Sequence, residues 1–173
     1  LKIVARLIKG GLQTRVYMVS TGGFDTHASQ VNAGDTTTGT HATLLGRVSD
    51  AIKAFQTDLA FLGVDDKVVG MTFSEFGRRI KSNASSGTDH GAAAPVFVFG
   101  KQVIGGVTGN TPNFGSSVGV GDNVPFQYDF RSVYSTLLRN WLCVDDNDLQ
   151  QIMLKNYQNL PLVSGAACKK PQP

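Results

Sequence analysis

Val16-Tyr17-Met18-Val19-Ser20-Thr21-Gly22-Gly23-Phe24-Asp25-Thr26-His27 is the stretch on which the expected architecture turns. Its first four residues are apolar and predict a buried strand, and the glycine pair that follows predicts a tight loop. In an open parallel sheet, ligands and catalytic groups gather outside the carboxyl ends of the strands, which is where this loop would sit. Asp25 and His27 then offer one oxygen and one nitrogen donor two residues apart. Such a pair suits a divalent metal, or an imidazole oriented by a carboxylate for acid or base work. The competing reading is an Asx-type turn that happens to carry a surface histidine.

Outward from this loop, the pattern alternates between helix and strand. Leu1 to Ile8 is amphipathic through Ile3, Val4, Leu7 and Ile8. Residues 32–40 are polar and aperiodic, as expected of a surface loop. From His41, apolar residues at Leu44, Leu45, Val48, Ile52, Phe55, Leu59 and Leu62 recur at helical spacing until Gly63, predicting one long helix packed on a sheet. Lys67 to Phe73 and Pro95 to Phe99 are nearly continuous apolar runs, the pattern of strands covered on both faces. Val103 to Val107 suggests a short hairpin within a glycine-rich segment. Asp129 is the expected N-cap of a helix from Phe130 to Cys143, with Val133, Leu137, Leu138, Trp141 and Leu142 as its stripe. A short helix is expected over Asp145 to Met153. Alternation of this kind predicts an α/β layer architecture.

Two more polar segments follow predicted strands. Ser74-Glu75-Phe76-Gly77-Arg78-Arg79 places a carboxylate directly after the second strand, so Glu75 is a candidate metal ligand or base. Arg78 or Arg79 could clamp an anion bidentately; the plain alternative is a surface Glu–Arg pair of little energetic weight. Thr88-Asp89-His90-Gly91 is a second Asp/His cluster. Two of the three histidines, His27 and His90, thus stand near an Asp in a glycine-containing loop, whereas His41 does not.

Composition narrows the function classes. With 173 residues and 41% hydrophobic content, the chain can bury one core. Although the net charge is +3, Lys and Arg never run beyond two together, which argues against a nucleic-acid footprint. No apolar run approaches a membrane span, so no transmembrane segment is expected. Cys143 and Cys168 belong to no metal-binding spacing, and they are equally readable as a disulfide or as two free thiols.

Four segments together resemble a known family: Gly22 to His27, Thr72 to Arg78, Gly87 to Gly91, and Asp129-Phe130-Arg131 opening a helix that ends in Leu138-Arg139-Asn140-Trp141-Leu142. In this order they resemble the C-terminal half of an uncharacterised bacterial family of the alkaline phosphatase and sulfatase superfamily. The resemblance implies a three-layer α/β/α sandwich with a mainly parallel sheet, spanning residues 1–163, followed by a loose tail at 164–173. It implies a metal site of Asp25, His27, Glu75 and His90, with Arg78 and Glu75 in catalysis of phosphate or sulfate ester hydrolysis on a small molecule or glycan. Phe76, next to Glu75, cannot ligate a metal and points to one ion. Two carboxylates and two imidazoles suit Zn²⁺ or Mn²⁺ better than Ca²⁺ or Mg²⁺. The nucleophile would lie upstream of Leu1, so the expected partner is the N-terminal half of the same polypeptide, and a fragment lacking it is expected to self-associate. Export from the bacterial cytoplasm is also implied. The competing expectation is a degenerate, non-catalytic binding or structural domain of the same fold.

Overall fold

The computed structural model describes residues 1–164 and Cys168. Its elements, in chain order, are α1 (Lys2–Lys9), α2 (Thr40–Phe61), a 3-10 turn (Asp65–Lys67), β1 (Gly70–Met71), β2 (Gly77–Arg78), β3 (His90–Gly91), β4 (Val98–Phe99), α3 (Phe130–Asn140) and α4 (Asp146–Met153). Among the described residues the strands form two separate two-stranded antiparallel sheets. In one, Gly70 lies opposite Phe99 and Met71 opposite Val98; in the other, Gly77 lies opposite Gly91 and Arg78 opposite His90.

This overturns the three-layer sandwich with a mainly parallel sheet. Val16 to Val19 form no strand, and Val16, Met18 and Val19 are 69%, 78% and 54% exposed. An apolar run records that a segment is costly to leave in water, but not which partner covers it or in which direction that partner runs. The second and third expected strands shrink to two residues each and pair with one another antiparallel. The expected hairpin at Val103 to Val107 is replaced by a long-range bridge, in which Val103 pairs with Val163 and the Ile104 N–H donates to Leu162 O at 2.9 Å.

The chain forms two compact units. The first comprises Leu1–Val68, Ser74–Pro95 and Phe114–Val124. Its core is Ala5 of α1, Leu44, Phe55 and Leu59 of α2, and Val64 just beyond. These α2 positions belong to the stripe read from the sequence, although Leu45 turns outward. Gly63 ends α2 at φ +67°, with its N–H on Ala60 O and the Val64 N–H on Leu59 O. This is a Schellman cap, in which the left-handed residue must bear no Cβ to avoid strain and the flanking Leu59 and Val64 bury against the last turn.

The second unit comprises Val69–Phe73, Val96–Asn113 and Pro125–Pro173, of which 165–167 and 169–173 lie outside the described residues, and most of the expected loose tail with them. Its fully buried α3 positions are Ser132, Ser135 and Thr136 rather than the predicted apolar stripe, whose members are only half-buried. The small hydroxyl face remains satisfied when buried. Thr136 Oγ1 donates to Ser132 O at 2.7 Å and accepts from the Leu160 N–H at 2.9 Å, which seats buried Leu160 against the helix. Cys143 and Cys168 are disulfide-bonded with Cα atoms 5.4 Å apart, so the alternative left open by their spacing falls to the bond.

Asp129 caps α3 as its position predicts. Its carboxylate accepts from the Arg131 N–H and forms a fork with the Arg131 guanidinium at 2.8 and 2.6 Å. The Arg131 hydrogen bond holds the Asp129 carboxyl down at about 2. Asp129→Ala is therefore expected to cost about 1 kcal/mol of stability. Because the folded carboxyl lies below its ordinary value of 3.8, this contribution is complete at neutral pH and is lost progressively as pH falls from about 4 through about 2. Urea unfolding of the variant and the parent at pH 7 and at pH 2 would show the full gap at the first pH and only a small remainder at the second, where the Asp129 carboxyl is about half protonated.

Candidate metal centre

Two loops of the first unit zip together to build the site. The Ser29 and Gln30 N–H groups donate to Ser85 O and Ser86 O, and the Thr88 N–H donates to Thr26 O at 3.2 Å. Gln30 Oε1 accepts from the hydroxyls of Thr26 and Thr88 at 3.0 and 2.7 Å, joining the strands of polar sequence from within. Gly87 lies so close to the His27 carbonyl group that a Cβ there would overlap it, so only glycine lets the second loop approach the first. The antiparallel β2–β3 pair carries the second loop back, setting His90 opposite Arg78.

At this junction Asp25, His27 and His90 converge. His27 Nε2 is 2.9 Å from His90 Nε2 and 3.0 Å from Asp25 Oδ1, and His90 Nε2 is 2.8 Å from the same oxygen. Among the described residues this is the group whose donor atoms all lie within 4.8 Å of one another, and it could hold a metal ion. The donor set fits one. Ligands at about 2.1 Å on adjacent corners of an octahedral ion lie about 3.0 Å apart, close to all three separations here. Two imidazoles and one carboxylate suit a borderline transition metal rather than Ca²⁺. Hydrogen bonding to His90 and Arg78, together with the positive field of the histidines, holds the Asp25 carboxyl below its ordinary range, so it stands ready as an anion.

The remaining expected residues fare differently. Glu75 is exposed and lies outside the donor group. Arg78 is close by, but its guanidinium is heavily engaged: Nη1 donates to Thr88 O at 2.6 Å, and Nη2 donates to Phe24 O at 2.6 Å and to Asp25 Oδ1 at 2.8 Å. Arg79 donates from Nε to His90 O at 2.9 Å. Phe76, noted in the sequence only as a non-ligand, stacks on His90 with ring centroids 3.6 Å apart and planes tilted by 16°. It walls one face of the imidazole and restricts its rotation.

Next to the donors lie Asp89, read in the sequence only as half of the second Asp/His cluster, and Asn83, which sequence reasoning missed. Asp89 Oδ1 faces His27 Nδ1 at 3.3 Å, and Asn83 Nδ2 donates to that same oxygen at 2.9 Å. The Asn83 and His27 hydrogen bonds hold the Asp89 carboxyl below its ordinary range. The available signal was the run Asn83-Ala84-Ser85-Ser86-Gly87, which has Asx-turn composition, but that predicts a turn and not what it touches.

A family model described as a protein of unknown function, DUF1501, matches residues 3–147. The chain belongs to the DUF1501 family. The match covers both metal-centre loops and α3, which bears out the resemblance to a domain of unknown function while leaving the alkaline phosphatase and sulfatase superfamily without support. No curated protein and no solved structure matches the chain.

Proposed function

We propose that this DUF1501 protein binds one divalent transition-metal ion, Zn²⁺ or Mn²⁺, through Asp25, His27 and His90, and that the loaded site hydrolyses phosphate or sulfate esters. The observation that carries the reading is the convergence of two imidazoles and a carboxylate from two loops at separations of 2.8 to 3.0 Å. When bound, such an ion supplies Lewis acidity and lowers the pKa of a coordinated water to about 7 in favourable sites. The chain's own part is to hold the donors. Asp25 is kept ionised, Phe76 braces His90, and Arg78 adds positive charge beside the donors, where charge would develop on a phosphoryl or sulfuryl group. Glu75 is assigned no step. The ester class comes from the resemblance read in the order of the sequence motifs, an uncharacterised family likened to alkaline phosphatases and sulfatases. Export belongs to the same reading, and the Cys143–Cys168 disulfide is in keeping with an oxidising compartment.

One observation favours a second reading, that of a metal-binding member without catalysis. The donor side chains are 46% exposed for each histidine and 60% for Asp25, so water is not excluded from the site as electrostatic catalysis prefers. Elemental analysis after reconstitution with Zn²⁺ or Mn²⁺, followed by assay on aryl phosphate and aryl sulfate, separates the two. About one metal equivalent with chelator-sensitive hydrolysis is the expected result. Metal without hydrolysis selects the second reading, and no metal overturns both.

A further inference from the structure

Arg78 and Arg79 are adjacent in the chain, yet their guanidinium groups are used in opposite ways. A guanidinium offers an anion two forked edges, Nε with Nη2 and Nη1 with Nη2. In Arg78 both Nη2 hydrogens are spent, on Phe24 O and on Asp25 Oδ1, and Nη1 donates to Thr88 O, so neither edge is open. Arg79 is anchored rather than consumed. Its backbone N–H donates to Asp89 O at 3.0 Å, it bridges to Asn123, and its Nε donates to His90 O at 2.9 Å. Nη1 and Nη2 of Arg79 make no hydrogen bond or ion pair among the described residues. Gly121 lies beside Nη1, where an added Cβ would stand 3.9 Å away, and brings no side chain to occupy the fork. Asp89 feels the charge of Arg79, but its carboxylate is hydrogen-bonded to Asn83 and faces His27 instead.

We propose that Arg79 binds a tetrahedral oxyanion, the phosphate or sulfate group of the substrate, through the fork of Nη1 and Nη2 beside the metal centre. The identity of the substrate rests on the ester reading above, but the anion site consists of the chain's own residues and can be observed without a metal. The Nε anchor ties the guanidinium to the backbone of a metal-donor residue, so the cation is ordered before the anion arrives and less side-chain freedom is lost on binding. Two parallel N–H groups with a full positive charge match two oxygens of a phosphate or sulfate, which a single ammonium cannot do. The sequence allowed either arginine this role; the hydrogen bonds of Arg78 leave it to Arg79.

Inorganic phosphate and inorganic sulfate, titrated separately into the metal-free protein by isothermal calorimetry, test the site. Wild type is expected to bind at least one of them saturably, and the tighter of the two names the ester class. Arg79→Met is expected to weaken that binding by about 10- to 100-fold. Arg79→Lys, which keeps the charge but not the fork, should weaken it by less. Lys81→Met removes an equal charge from an exposed side chain nearby in sequence and is expected to stay within about twofold of wild type. Circular dichroism checks the fold of each variant, and Arg79→Lys carries the comparison should Arg79→Met fail to fold. A wild type that binds neither anion, Arg79 variants that bind as wild type does, or a Lys81→Met loss as large as that of the Arg79 variants overturns the inference. Anion binding that depends on Arg79, in a protein that takes up no Zn²⁺ or Mn²⁺ and hydrolyses no ester, leaves the anion site standing while the ester reading falls.

Discussion

Alanine at any one of Asp25, His27 or His90 is expected to weaken Zn²⁺ binding by roughly 10²- to 10³-fold, and the His27→Ala/His90→Ala double variant to abolish it in the micromolar range. A structural zinc site of four ligands binds with about 10–16 kcal/mol at neutral pH, so each ligand carries about 2.5 to 4 kcal/mol. Every 1.4 kcal/mol is about tenfold in affinity, which gives the range stated. Among the described residues no further His, Cys, Asp or Glu joins the three donors in the group, and Glu75 is outside it. The fold should tolerate these changes, because the side chains are 46% exposed for each histidine and 60% for Asp25 and none belongs to the buried core. Titration by chelator competition, with circular dichroism to check the fold, provides the measurement. Affinity unchanged in the double variant would end the assignment of these residues as ligands.

Arg78→Met is expected to be the most destabilising change at the site, by about 1 to 3 kcal/mol. The Arg78 side chain is 19% exposed, and its fork reaches carbonyls of both loops, Phe24 O and Thr88 O, at 2.6 Å each, as well as Asp25 Oδ1. Methionine fills similar volume but takes the guanidinium donor from Thr88 O, at a cost of about 1–3 kcal/mol, while Phe24 O keeps the Thr26 N–H at 2.9 Å. Arg78→Lys keeps the charge yet cannot span both carbonyls with a single ammonium, so it should fall between the parent and Arg78→Met. In urea unfolding this appears as a midpoint that drops in the order Arg, Lys, Met. A coincident curve for Arg78→Met would show that the loops are held together without this guanidinium. The same variant should also loosen Asp25, because the ion pair is one of the contacts that fix the carboxylate.

Legibility differed sharply between elements and their arrangement. Helices α2, α3 and α4 were readable because each carries its own punctuation: Gly63 after α2, Asp129 before α3, and Asp145 before α4, where its side chain accepts from the Asn147 and Asp148 N–H groups. Capping is settled within a few residues, so local sequence suffices. The strands were not readable in the same way. Gly70 and Met71 pair with residues nearly thirty positions away, and neither apolar run contains information on direction.

The site divides along the same line. Asp25, His27 and His90 stood out because they are carboxylate and imidazole groups in short glycine-bearing loops, a local signal. Their meeting within 3.0 Å depends on the zipper of backbone bonds between residues 26–30 and 85–88 and on the β2–β3 pair, which are long-range facts. Glu75 carried the same local signal and stands apart.

The sequence by itself thus determined the helices, their caps, the membership in a family of unknown function and the donor-bearing loops, because these follow from chemistry within a few residues of one another. Only the tertiary structure decided the antiparallel pairing, the disulfide between Cys143 and Cys168, the hydroxyl face that α3 buries, and which carboxylate joins the histidines. Each of these is a contact between segments distant in the chain, and its free energy depends on a partner that periodicity and propensity cannot name.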